Sequence, residues 1–356
     1  MTTLLDRRPA PILVRAKTPR PTITALFAVA VGVAAYTGFR LPGEWAATLQ
    51  SVSLTDGFHR RFLVGTLLAP FGHHYLVSTV ASFLVLADLL TVVVIAFFRG
   101  RTESRRLVIV GWLLAPTGGY LFHEVGYFDQ VLYLLLAGAS WALHRNRPVL
   151  ASVVMTLSVT VHEIALLTVL PVFGFALLRK FPFRRAGALL APSTVACLVI
   201  LALPPAASGA VEKLRNTLST ADFRYRVDAL SLFERTQAQS WQLYSVTRVL
   251  LYLVPIAIVV IGGLLLLQRP ALAAAVSVAA PVLLAFGGWD DARWGFLLVS
   301  NFALVLWLRL GRRELDLSRA GVLAALLLVL THVPMPYFDG YAPRGLTLVT
   351  PVEDAR

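Results

Sequence analysis

A histidine and a glutamate lie next to each other inside one of the most apolar stretches of the chain. The segment TLSVTVHEIALLTVL, residues 156–170, carries His162 and Glu163 within an apolar run from Val149 to Leu178. An ionisable pair at the centre of a lipid-facing helix costs several kcal/mol, so protein or water has to surround it. Intramembrane residues of this kind bind substrates or move protons in many proteins, which makes the pair a first candidate for chemistry.

The composition indicates a polytopic membrane protein. Of the 356 residues, 57% are hydrophobic and 14% are charged, which is too apolar for a soluble enzyme. The net charge of +13 is explained by basic residues that collect on the cytoplasmic side of a membrane, so no nucleic-acid partner is expected. The single cysteine, Cys197, excludes an internal disulfide.

Apolar segments of span length recur along the chain. We therefore predict an all-α fold, a polytopic transmembrane helix bundle with about eleven spans, short broken helices and an interfacial helix in the first outer loop. The expected spans are 22–39, 78–98, 107–122, 127–143, 149–161, 164–178, 186–203, 246–267, 271–287, 294–309 and 319–332.

The distribution of charge orients this bundle. A cytoplasmic N-terminus puts most of the 32 basic residues on the inner side, together with a few of the 19 acidic ones, namely Asp6, Glu103, Glu314 and Asp316. The positive-inside rule is then satisfied. We expect a multi-pass protein of a cell (inner) membrane. Its parts are a cytoplasmic basic tail at 1–21, the bundle at 22–332 with outer loops 41–77 and 204–243, and an extracytoplasmic tail at 333–356. No cleavable signal peptide is expected, because the first apolar stretch is long enough to remain as a span.

The His162-Glu163 pair is best explained by a break between two short spans. One helix over the whole apolar run would be about 45 Å long, and the hydrocarbon core is about 30 Å thick. Two short helices that meet at the pair would instead enclose it in protein or in a water-filled cavity. Alternatively, the turn simply reaches water. The dipeptide recurs as His123-Glu124, so the hairpins 107–143 and 149–178 look like variations on one unit.

The other polar clusters fall on the same outer side. They are HEVGYFDQ (123–130) with Asp129, GGWDDARWGF (287–296) with Asp290, Asp291 and Arg293, and THVPMPYFDGY (331–341). Adjacent carboxylates such as Asp290 and Asp291 can act as a base, bind a divalent cation or accept sugar hydroxyls, or they can form a solvated turn. Asp88, inside the second span, is expected to face the bundle and pair with a polar group.

The first outer loop combines an acid with two arginines. Thr55 or Asp56 can cap a short interfacial helix whose apolar stripe is Phe58, Phe62, Leu63 and Leu67. Arg60 and Arg61 would then be available to a phosphate. The alternative is that these arginines bind lipid headgroups or pair with Asp56 and Asp290, and that Asp56 is an ordinary helix cap.

Metal-dependent and ATP-dependent chemistry lack their usual motifs. No HExxH sequence, Gly-rich phosphate loop or GxSxG elbow is present. A zinc site built from His123, His162, His332 and a carboxylate stays open as an alternative, because these histidines share one side. No cofactor is predicted with certainty, and a divalent cation is the one left open.

The layout resembles the polytopic glycosyltransferases of the GT-C superfamily and, more loosely, the polysaccharide polymerases of bacterial envelopes. The matching positions are Asp56 in the first outer loop and Arg60 and Arg61 in the helix that it would head; a large soluble C-terminal domain is missing. The resemblance implies transfer of a sugar from a polyprenyl-phosphate donor to a glycan or lipid acceptor on the extracytoplasmic face, among membrane lipids. Such a reaction would serve the synthesis of envelope polysaccharide or glycolipid.

The resemblance also implies roles for the candidate residues. Asp56 would be the catalytic base, with Asp290 and Asp291 as a second acidic cluster, and Arg60, Arg61 and Arg248 would bind phosphate. The substrate cavity would be lined by His59, His123, Glu124, Asp129, His162, Glu163 and Arg293. Other classes stay open: a secondary transporter or lipid flippase, a membrane-embedded metal-dependent lipid hydrolase, and a non-enzymatic scaffold.

Overall fold

The chain is α-helical. The computed structural model describes residues 19–235, 239, 245–267, 272–286, 290–311 and 315–331, and within these ranges no β-strand forms. The predicted all-α class is therefore confirmed. Most of the two predicted tails lies outside the described residues.

Sixteen helices are labelled here within the described ranges. They are α1 (Pro21–Gly38), α2 (Glu44–Gln50), α3 (Phe62–Leu68), α4 (Tyr75–Phe98), α5 (Glu103–Leu114), α6 (Pro116–His123), α7 (Phe128–His144), α8 (Pro148–Val161), α9 (Val169–Leu178), α10 (Phe183–Ala202), α11 (Ala210–Leu218), α12 (Val227–Leu230), α13 (Val254–Leu267), α14 (Leu272–Ala279), α15 (Asp291–Leu310) and α16 (Leu317–Thr331). Short 3₁₀ segments connect several of them, and a π-helical turn at Val249–Leu253 leads into α13.

Within the described ranges, five helical segments are long and apolar enough to cross a membrane. They are Pro21–Gly38, Tyr75–Phe98, Phe183–Ala202, Val249–Leu267 and Arg293–Leu310. The six other expected spans are also helical, but they are shorter or interrupted. The structure thus indicates membrane association, with five candidate spans in place of the eleven expected from sequence.

Prolines and glycines explain one of these interruptions. Ala115 separates α5 from α6 in an extended conformation, as expected for a residue that precedes a proline, here Pro116. A Cβ on Gly118 would collide with the carbonyl of Leu113, so the turn requires glycine at this position. The helix break in the 107–122 segment is therefore encoded locally.

Two apolar cores hold the bundle together. The larger one is centred on fully buried side chains of α7, α8, α9 and α15, among them Leu132, Met155, Phe173 and Leu306. The smaller one joins α1, α4, α5 and α6, and within it the rings of Phe27 and Phe97 stack 4.1 Å apart. The larger core carries the candidate site at one end, where α7 and α15 both begin.

The first outer loop differs from its prediction. Asp56 ends a 3₁₀ turn, Leu54–Asp56, whose cap is Ser53, and α3 begins only after Arg61. Neither Thr55 nor Asp56 caps α3, so that prediction is wrong. The reason is that the intervening residues bond to the chain after α10. His59 forms an isolated antiparallel bridge with Ala206, and the N–H of Arg60 donates to the carbonyl of Pro205 at 2.7 Å.

Asp88 also differs from its prediction. We expected it to face the bundle, but its side chain is exposed. The face that α4 buries carries Ser78, Ser82, Leu86, Leu89 and Phe97, and Asp88 lies on the other side of the helix.

Candidate functional site

The break between α8 and α9 lies against the first outer loop. The Nε–H of Arg61 is shared between the two carboxylate oxygens of Glu163, each at 3.1 Å. The two side chains are 16% and 15% exposed, so the pair is largely buried. Arg61 therefore pairs neither with Asp56 nor with Asp290, the partners considered from the sequence. As predicted, the helix is interrupted at His162-Glu163: His162 is extended, and a 3₁₀ segment over Glu163–Leu166 leads towards α9.

His162 has a structural role in this turn. Its Nδ1 accepts the N–H of Ile164 at 3.3 Å and so caps the 3₁₀ segment Glu163–Leu166. Burial and the charge of Arg61 lower the pKa of His162 to about 4. The imidazole is neutral at pH 7, which matches its use as an acceptor.

Glu163 is ionised. Burial by itself raises the pKa of a carboxyl group, but the charge of Arg61 and its hydrogen bonds to Glu163 act more strongly in the opposite direction. The pKa of Glu163 is therefore held well below its usual range. The pair with Arg61 is consequently a true ion pair.

A second ion pair joins α7 to α15. The guanidinium of Arg293 donates from Nε to Asp129 Oδ2 at 2.6 Å and from Nη2 to Asp129 Oδ1 at 2.8 Å. The Asp129 side chain is 3% exposed. Arg293 is also near enough to His162 for its charge to lower the pKa of that histidine. The two ion pairs thus belong to one group, called here the charged cluster: Arg61, His123, Glu124, Asp129, His162, Glu163, Asp290 and Arg293.

Asp290 completes the charged cluster from the start of α15. Its Oδ1 accepts the N–H of Arg293 at 3.4 Å, which caps the helix. Burial raises the pKa of Asp290 to about 7, with the charges of Glu124 and Asp129 adding to the effect and Arg293 opposing it. At neutral pH this carboxyl exchanges a proton readily.

His123 and Glu124 form the remaining part of the charged cluster. The Nδ1 of His123 lies 2.7 Å from Oε1 of Glu124. His123 is the last residue of α6, whereas His162 is the first residue after α8, so the two His-Glu pairs lie at helix ends but one position apart.

The first outer loop forms a separate buried site around Asp56. The side chain is 7% exposed, and its Oδ1 accepts the hydroxyl of Thr217 on α11 at 2.9 Å. Its Oδ2 is buried and has no hydrogen-bond partner among the described residues. A buried carboxylate oxygen without a donor is rare in folded proteins.

His59 lies in the same site, and one of its ring nitrogens has no hydrogen-bond partner among the described residues. The residue is fully buried, and its ring packs edge-on against Phe233 with centroids 5.5 Å apart. Nδ1 lies 3.1 Å from the carbonyl of Gly57, within hydrogen-bond distance. Nε2 is buried and has no partner among the described residues. Burial lowers the pKa of His59, and the nearby charge of Asp56 opposes this.

The two adjacent arginines have different partners. Arg60 Nη2 donates to the carbonyl of Leu201 at 3.0 Å and to that of Leu203, so it caps the C-terminal end of α10. Arg61 binds Glu163. Both phosphate-binding candidates of this loop are thus engaged within the protein.

Several predicted site residues are outside the structural description. The side chains of Arg248 and Asp291 belong to this group, as does all of His332. In the described part of the chain, no group of three or more His, Cys, Asp or Glu side chains could hold a metal ion. The zinc alternative therefore has no support from His123 and His162.

Thr217 and Phe233 come from the outer loop 204–243 and are not among the site residues predicted from the sequence. The available signal was the spacing of Val211, Leu214 and Leu218, all buried in α11, which is typical of a helix that packs inward. No feature of the sequence indicated that α11 would pack on Asp56.

No known protein family, curated protein or solved structure matches this chain.

Proposed function

We propose that this protein is a membrane glycosyltransferase of the cell envelope, which takes a sugar from a polyprenyl-phosphate donor on the extracytoplasmic face. The observation that carries the proposal is the pair of buried polar atoms in the first outer loop, Asp56 Oδ2 and His59 Nε2, that have no hydrogen-bond partner among the described residues. Sugar hydroxyl groups both donate and accept hydrogen bonds, so a sugar can pair with both atoms.

Leaving these atoms unpaired is unfavourable. A buried polar atom without a hydrogen-bond partner costs about 1–3 kcal/mol, and Asp56 and His59 each carry one. Asp56 cannot rotate freely away, since Thr217 binds its other oxygen. This arrangement is expected of a binding site that a ligand completes.

The proposed reaction is a direct displacement. Asp56 Oδ2 removes the proton of the acceptor hydroxyl, and the resulting oxygen attacks the anomeric carbon of the donor sugar. The bond from that carbon to the phosphate oxygen breaks, and its electron pair leaves with the lipid phosphate. A cation must stabilise the departing phosphate, and Arg61, in the same loop as Asp56, is the candidate once it exchanges Glu163 for phosphate.

The charge distribution supports an extracytoplasmic position for the site. Positive charge on the N-terminal side of the chain and in alternate loops favours a cytoplasmic N-terminus in a cell (inner) membrane. Asp56, His59 and the charged cluster would then face the extracytoplasmic compartment, where a lipid-linked donor needs no nucleotide. The proposed partners are the lipid-linked sugar, a glycan or lipid acceptor, and membrane lipids.

Proton-coupled transport is the second candidate function. The observation in its favour is the raised pKa of Asp290, about 7, within a buried group of ion pairs where several helices are interrupted. Buried titratable groups at broken helices are frequent in secondary transporters.

One experiment separates the two functions. The full-length protein would be reconstituted into vesicles with radiolabelled sugar on a polyprenyl-phosphate and a glycan acceptor. Glycosyl transfer predicts that label moves to the acceptor without a proton gradient. Label that crosses the vesicle membrane only with a proton gradient, with no new glycosidic bond, would contradict the proposal and support transport.

A further inference from the structure

A pocket of about 390 Å³ opens at the end of the bundle opposite the charged cluster. The charged cluster joins the first turns of α7 and α15 through Asp129 and Arg293, whereas the pocket lies where these two helices and α9 end. Its lining includes Leu143 and His144 of α7, Ala176 of α9, Arg179 and Lys180 directly after α9, and Leu308 of α15. Pockets that bind small molecules have volumes of about 300–1,000 Å³, so the space is sufficient for a ligand.

The pocket lies about one hydrocarbon thickness away from the charged cluster. α15 has 20 residues and is about 30 Å long, as thick as the hydrocarbon core. Its segment Arg293–Leu310 is one of the five candidate spans, so the end at Leu308 would lie at the level of the lipid headgroups. The indole of Trp141, 50% exposed near the end of α7, is typical of this level.

The two cations of the pocket are held in place by helix ends. Arg179 donates from Nη1 to the carbonyl of Leu308. Lys180 donates to the carbonyl of Leu143 and to Asn146 Oδ1, the latter at 2.9 Å. These bonds leave most N–H groups of the guanidinium and one of the ammonium group unused. Both side chains are exposed, so these donors are accessible to a ligand.

A third cation adds positive charge at the same end of the bundle. The guanidinium of Arg105 lies over the ring of Trp307, 3.4 Å from its centroid. Burial and the nearby charges of Arg101 and Arg179 lower the pKa of Arg105 to about 10, so it is still charged at pH 7. Among the described residues, no carboxylate forms an ion pair with Arg105, Arg179 or Lys180.

This positive charge exceeds what the helix ends require. The C-terminal ends of α7, α9 and α15 together carry about −1.5 elementary charges. Arg105, Arg179 and Lys180 carry about +3 elementary charges. The excess positive charge repels itself, and an anion in the pocket would relieve this repulsion.

We infer that this pocket binds a phosphate group. Phosphate oxygens accept charged hydrogen bonds from the N–H groups that Arg179 and Lys180 leave unused. Leu143 and Leu308 add apolar walls, which suit the glycerol and first acyl carbons of a phospholipid better than free phosphate. The orientation proposed above puts this end at the cytoplasmic leaflet, where basic pockets between transmembrane helices bind anionic lipid headgroups. The inference does not depend on the reaction proposed at Asp56.

Thermal unfolding of the full chain in dodecyl maltoside tests the inference. Phosphatidic acid is compared with diacylglycerol of the same acyl chains, which lacks only the phosphate group. Potassium phosphate is compared with potassium chloride at the same ionic strength. Phosphatidic acid should raise the melting temperature by about 2–4 °C above the diacylglycerol value. No rise with either source of phosphate would overturn the inference, and this comparison needs no variant.

The double variant Arg179→Gln with Lys180→Gln tests the position of the site. Arg184→Gln with Arg185→Gln, at exposed positions at the start of α10, removes the same charge outside the pocket and is the matched control. The control should keep the rise in melting temperature, and the pocket variant should lose it. A rise with potassium phosphate alone that requires Arg179 and Lys180 would assign the site to soluble phosphate. Equal rises in the two double variants would overturn the inference.

Discussion

Arg61 and Glu163 form a bidentate ion pair although 102 positions separate them in the chain. The pair fastens the first outer loop to the break between α8 and α9. Asp56, which lies in the same loop, is thereby held in a fixed relation to the charged cluster. If Arg61 bound a phosphate in place of Glu163, Glu163 would lose its ion-pair partner. Donor binding would then change the contacts at the break between α8 and α9.

Removing one member of this pair should destabilise the protein. Glu163→Gln leaves the guanidinium of Arg61 largely buried without its counter-ion, and we expect a loss of about 3 kcal/mol in the free energy of unfolding. The double variant Arg61→Gln with Glu163→Gln should lose less than the two single variants together. Thermal unfolding in detergent measures all three, and strictly additive losses would contradict the pairing.

The stability of the protein should depend on Asp290 between about pH 4 and about pH 7. The folded protein binds this proton more tightly than the unfolded chain, because burial raises the pKa of Asp290 from 3.8 to about 7. The contribution is present at low pH and is lost as the pH rises through the folded value. Asp290→Asn should therefore flatten the pH dependence of the melting temperature across this window. An unchanged profile would show that Asp290 titrates normally.

A methyl group at Gly38 should disturb the contact of α1 with α6. A Cβ at this position would collide with the carbonyl of Gly119, whereas a Cβ at Gly32, on the same helix, meets nothing within 4 Å. Gly38→Ala should cost about 1–3 kcal/mol, and Gly32→Ala should be neutral or stabilising. Equal melting temperatures for the two variants would argue against the close packing.

The ion pair of Asp129 and Arg293 should require arginine. Lysine cannot reproduce the two parallel hydrogen bonds to the carboxylate, so Arg293→Lys should raise hydrogen exchange at the start of α7 and of α15. Arg215→Lys is the control, since Arg215 pairs with Glu212 and Glu234 on an exposed surface. Similar exchange in both variants would count against a special role for the buried pair.

The sequence predicts local features, such as helix breaks, better than it predicts contacts between residues that are distant in the chain. The break at His162-Glu163 follows from segment length alone, and the all-α class follows from composition. The partner of Arg61 depends on how distant helices pack, and both Asp56 and Asp290 were equally reasonable partners before the packing was known. Asp88 was misplaced because the hydropathy of a segment does not show which face of the helix packs on the bundle, and the face that α4 buries carries Ser78, Ser82, Leu86, Leu89 and Phe97.

The comparison of Asp56→Asn with Glu212→Gln in the sugar-transfer assay tests the central claim most directly. Both variants remove one negative charge from the outer loops, but the Glu212 side chain is 62% exposed and lies outside the site. If Asp56 is the base, its variant should lose about 10²- to 10⁴-fold in transfer rate, with the melting temperature and the Glu212→Gln rate close to those of the wild type. Equal transfer by the two variants would contradict the assignment and remove Asp56 from the mechanism.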